Sequence, residues 1–202
     1  MKDPLKDLLK KRERGEEADY FRRADEKLIE KIRERARLTE IAQALAAKLR
    51  VDDAELLRRV AELGLNQDTG AAILLAPLVQ VAWAEGQVGE AERAIVLDFA
   101  ASRGIVAGMP AHGKLLEWLR QRPSDAVFET AMEVMRVGFS VLPEKERGER
   151  IASTVDVCRR VAEASGGGLA RLIGMSEGVS GEESAVLDAI TTKLTAERGK
   201  PK

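Results

Sequence analysis

The apolar positions of this chain recur at spacings of three and four almost throughout, and no stretch alternates with period two. From Glu16 to Arg37 the run EEADYFRRADEKLIEKIRERAR is mostly charged, with both signs interleaved. Within it Phe21, Ala24, Leu28 and Ile32 form a narrow stripe. That pattern predicts a charged helix with a thin apolar seam, supported by pairs such as Asp19 with Arg23. The helix either continues through LTEIAQALAAKL or breaks near it.

Beyond residue 50 the punctuation becomes regular. Asp52 is expected to cap the DAELLRRVAEL helix, which stops at Gly64. NQDTGAAILLAPLVQVAWA is apolar on nearly every face and reads as the central helix, with a kink at Pro77. EAERAIVLDFAASR ends at Gly104, and Pro110 opens PAHGKLLEWLRQR, which Pro123 ends. Ser124 can cap DAVFETAMEVMRVGFSVL. Pro143 opens PEKERGERIASTVDVCRRVAEAS, which runs to Gly166, Gly167 and Gly168. A short LARLIGM then leads to GEESAVLDAITTKLTAE, where Ser180 and Glu183 have capping-box spacing. The expected fold is all-α: a charged helix over residues 1–50, a bundle over 51–197, and a disordered tail over 198–202.

Composition adds limits rather than an activity. Aromatics make up 3% of the 202 residues, which favours helices over strands. A net charge of −1 provides no global attraction to nucleic acid. The longest apolar run, Ala71 to Ala84, contains Gln80 and falls short of the roughly 20 residues of a membrane span. The start MKDPLKDLLKKRERG has no apolar signal core, and one cysteine forbids an internal disulfide. A cytoplasmic protein is expected, with no nucleic-acid partner and no membrane insertion.

Candidate chemistry is sparse. GMPAHGKL, from Gly108 to Leu115, approaches a phosphate-binding loop, but Leu115 stands where a magnesium-binding hydroxyl is needed. His112 is the only histidine and Cys158 lies on an apolar stripe with Ile151, Val155 and Ala162, which predicts a buried, inert thiol. Trp83 and Trp118 read as core. No nucleophile elbow accompanies His112, and one histidine with one cysteine cannot build a His/Cys metal cluster. A non-enzymatic protein without a cofactor is expected.

The strongest internal signal is an echo. Glu85, Gly86, Gly89, Glu90 and Glu92 precede Val96, Leu97 and Asp98. Later Glu177, Gly178, Gly181, Glu182 and Glu183 precede Val186, Leu187 and Asp188, aligned with a two-residue deletion inside the helix. Gly86 and Gly178 suit the left-handed conformation that ends a helix, and the acids suit the positive end of the next helix. One turn geometry used twice explains this; a weak divalent-cation site using Glu85, Glu90, Glu92, Glu177 and Glu182 is the alternative.

The apolar helix followed by AWAEGQVGEAERAIVLDFAASRGI and a second glycine-acid turn resembles the TerB-like (tellurite-resistance) helical domain, over about residues 66–196. Glu85 stands where that family's turn has Asp, with Gly86 and Glu92 in matching places. The resemblance implies a stress-response binding module, some members of which hold divalent cations. The segment RERGEEADYFRRADEKLIEKIRERA resembles the inhibitory segment of the ATPase inhibitor proteins of F-type ATP synthases, through Gly15, Glu16, Glu17, Tyr20, Phe21 and Arg22. That likeness implies a helix that wedges into the catalytic part of the rotary enzyme. Tyr20, Phe21, Leu28 and Ile32 are then the expected anchors, with Arg22 and Arg23 setting register by charge. The other reading packs Tyr20 and Phe21 onto the chain's own bundle.

Overall fold

The computed structural model describes residues 4–165 and 181–196, with side chains described from Tyr20 onward except that of Ser165. Among them are eight α-helices and no strand: α1 Pro4–Leu49, α2 Ala54–Glu62, α3 Ala76–Ala82, α4 Glu90–Ser102, α5 Pro110–Arg120, α6 Asp125–Ser140, α7 Glu144–Ser165 and α8 Gly181–Thr195. The all-α expectation holds. LARLIGM, Glu177, Gly178, Ser180 and the tail at 198–202 lie outside the described residues.

The chain divides into two units, Met1–Glu40 and Ile41–Lys202. In the first, every described side chain from Tyr20 to Arg37 is exposed, as the charge density of that stretch dictates. The helix does not break at LTEIAQALAAKL. Its last turns belong to the second unit, where Ala42, Leu45 and Leu49 are buried. It ends as Arg50 takes the left-handed conformation at φ 55°, a place usually left to glycine.

In the second unit α3 is the centre, as its all-round apolarity predicts. Leu78, Val79, Val81 and Ala82 are wholly buried, and α3 packs against α4, α5, α6, α7 and α8. Its construction differs from the expected kinked helix. Gly70–Leu75 is a 3-10 turn, and the α-helix begins only at Ala76, with Pro77 in its first turn. There the missing N–H of proline costs nothing, because first-turn amides have no partner inside the helix. Ahead of this junction Gly70 lies so close to Leu45 that a Cβ on it would sit 2.3 Å from Leu45 Cδ2.

The caps follow local chemistry. Asp53, not Asp52, caps α2: its Oδ1 accepts from the Leu56 N–H at 3.0 Å. Gly64 and Gly104 follow α2 and α4 in the left-handed region, at φ 79° and 78°, where a side chain would be strained. Ser124 occupies the N-cap of α6 through its backbone, with no side-chain bond. Trp83 Nε1 donates to the Trp118 carbonyl at 2.8 Å and ties the end of α3 to α5. Trp118 is buried and Trp83 half-buried, which agrees with a core role.

Candidate functional site

Two places carry the residues singled out by the sequence. The first is the exposed length of α1. Tyr20 is 70% exposed, Phe21 63%, Leu28 56% and Ile32 59%, and Ile29 adds a fifth large apolar side chain at 48%. At about 100° per residue, Phe21, Leu28 and Ile32 fall within roughly 40° of one another on the helix surface. They span about 16 Å along its axis, three turns of helix. The Tyr20 and Phe21 rings meet edge to face with centroids 5.8 Å apart, so the pair forms one aromatic ledge. Arg22 and Arg23 are exposed beside it, and Arg22 has an interaction partner. Ile29 was missed in the sequence because it lies off the three-four stripe.

The second place is the pair of glycine-acid turns. Gly86 is left-handed at φ 82°, and its N–H donates to the Trp83 carbonyl at 3.0 Å, so the first turn is built as expected. Glu85 and Glu90 are exposed, but Glu92 is buried. Glu92 is the third residue of α4, and its Oε2 accepts from the Gly89 N–H at 2.6 Å. This is half of a capping box, since Gly89 has no side chain to return the bond. Glu183 is the third residue of α8 and is fully buried, with a partner of its own, whereas Glu182 is exposed. The two copies therefore register on the buried glutamates, Glu92 with Glu183, rather than on the glycines. Gly89 caps α4, while Gly181 is already the first residue of α8.

Burial pushes the Glu92 carboxyl up to about 7, the Gly89 N–H opposes the rise, and the negative charges of Glu183 and Glu85 add to it. Glu92 thus holds its proton more tightly than an exposed carboxyl does, and it is bonded to the backbone. Among the described residues no group of three or more His, Cys, Asp or Glu converges as a metal site would. Glu177 lies outside the described residues.

The remaining candidates fall into structural roles. Cys158 is wholly buried, and burial pushes its thiol up to about 12, so it stays protonated at neutral pH. The apolar face of α7 is centred on Val157, Cys158, Val161 and Ala162, slightly rotated from the expected stripe. In the Gly108–Leu115 segment, Gly113 and Lys114 lie inside α5 and Lys114 Nζ bonds Glu117 Oε2 at 2.7 Å. That lysine is held by a carboxylate rather than aimed at a phosphate cradle. His112 is half-buried on the same helix.

No family model, curated protein or solved structure matches the chain. Among the described residues no helix is long and apolar enough to cross a membrane.

Proposed function

We propose that this protein is a non-enzymatic binding protein that docks a protein partner through α1. The observation that carries the reading is the row Phe21, Leu28 and Ile32 on one face of the helix, flanked on opposite sides by Tyr20 and Ile29, all five large, apolar and at least 48% exposed. A helix that lays such a row into a groove gains about 1–2 kcal/mol for each half-exposed anchor it buries. Three or four anchors of that size make a hot spot, and aromatic side chains supply the larger share. The mixed charges around the row set orientation, with Arg22 and Arg23 meeting acidic groups on the partner. The likeness of the YFR segment makes the catalytic part of an F-type ATP synthase the partner to test first.

The test adds the purified chain to the isolated catalytic part of the synthase and follows ATP hydrolysis. Inhibition by the full chain that is lost in Tyr20→Ala/Phe21→Ala supports the reading, provided the melting temperature moves by no more than about 2 °C. Absence of inhibition removes this partner. A fall of several degrees in the variant would show instead that the two rings stabilise the chain itself.

A second reading is a TerB-like stress-response module that binds a divalent cation through the acidic turns. It draws on the negative charges of Glu183 and Glu85, which lie near enough to Glu92 to add to the rise that burial gives its carboxyl. Stability unchanged by calcium or magnesium at millimolar concentration would dispose of it, because ligand binding to the folded state must raise stability.

A further inference from the structure

The second unit contains a cavity of about 340 Å³ that none of the functional readings above uses. Its walls come from segments far apart in sequence: Lys48 from the end of α1, Leu74 from the 3-10 turn, Phe99 from α4 and Arg103 just after it, Met109 before α5, Phe139 from α6 and Arg150 from α7. The volume lies in the range of sites for small organic ligands. Leu74 and Met109 are each 37% exposed, so part of its apolar wall faces solvent.

The polar groups are asymmetric. Lys48, Arg103 and Arg150 line the cavity with Asp68 as the one acid among the lining residues. Arg150 Nη2 reaches Glu146 at 3.5 Å, so its charge is partly answered. Lys48 and Arg103 have no carboxylate within 4 Å among the described residues, and the Arg103 guanidinium lies over the Phe99 ring, 4.8 Å from its centroid. The cation–π contact holds the Arg103 guanidinium beside the cavity, and a guanidinium can form a forked bond to an acid. With Asp68 and Glu146 set against the three cations, one positive charge remains. That surplus matches a monoanion better than a phosphate dianion. The flexible Leu and Met walls suit an unbranched alkyl chain.

We propose that this cavity binds a medium-chain fatty carboxylate, its chain against Leu74, Met109 and Phe139 and its carboxylate at Arg103 and Lys48. The site is independent of α1 docking and stands or falls separately. The experiment is calorimetric titration of the full chain with decanoate, with decanol as the uncharged control. One decanoate per chain is expected, with decanol about tenfold weaker or more. Lys48→Gln/Arg103→Gln should weaken decanoate by about tenfold at unchanged melting temperature, since both side chains lie on the surface. Met109→Asp, which puts a charge on the apolar wall, should weaken both ligands. Absence of saturable decanoate binding up to about 1 mM overturns the proposal. Equal affinity for decanol, or decanoate binding unaffected by all three substitutions, overturns it as well.

Discussion

Glu92→Gln tests how the glycine-acid turn stores charge. Glu92 is buried, bonded to the Gly89 N–H at 2.6 Å, and raised from an ordinary 4.5 to about 7. A carboxyl raised on folding binds its proton more tightly in the folded state than in the unfolded chain. Stability therefore falls as pH rises from about 4.5 through about 7, and the cost is fully present above that. At about 1.36 kcal/mol for each tenfold change in proton affinity, the whole rise corresponds to roughly 3 kcal/mol. Glu85 is exposed and its contribution is screened by solvent, so the expected cost is about 1–3 kcal/mol. Glutamine keeps an oxygen to accept from Gly89 and removes the charge. Urea unfolding of parent and variant from about pH 5 to about pH 8 measures the difference, in which exposed groups common to both cancel. The variant should gain on the parent as pH rises and exceed its stability near pH 8. A difference independent of pH would refute the reasoning and leave Glu92 as a cap with no electrostatic cost.

Three other substitutions and reactions probe the frame. Gly70→Ala should cost about 1–3 kcal/mol in unfolding free energy, because its Cβ would meet fully buried Leu45 at 2.3 Å. Arg50→Gly should raise stability by about 1 kcal/mol, since the residue sits at φ 55° where only glycine is unstrained. Cys158 should react with a thiol reagent only on the timescale of unfolding, and fast labelling of the native protein would show that its helix opens locally.

The fold was readable where a residue type has one conformational use. Gly64, Gly86 and Gly104 mark turns because each takes a positive φ that a side chain resists. Proline was read less well. The stretch before Pro77 is apolar on every face and carries no periodicity, so nothing in it separates a kinked α-helix from a 3-10 turn followed by a new helix. Asp52 and Asp53 are adjacent acids, and only the geometry of the Leu56 N–H selects the second.

The candidate sites were visible in part. An exposed stripe could be seen in the YFR helix, since a face so narrow among so many charges has little to bury it. The burial of Glu92 and Glu183 ran against the usual fate of acids in a first helical turn. Its one trace was the repeat itself, a glutamate placed in both copies. The cavity left no trace at all: Lys48, Arg103 and Arg150 are ordinary surface charges until the helices bring them to one opening.

The claim that α1 is a docking helix is tested most directly by placing a photo-crosslinking amino acid at position 21, and separately at Glu26, in the native host. Glu26 is also exposed but lies on the side of the helix away from Phe21, Leu28 and Ile32. The account predicts one defined covalent product with a partner protein from position 21 and none from position 26. Crosslinks from position 21 only to this chain's own bundle, or the same products from both positions, would contradict it.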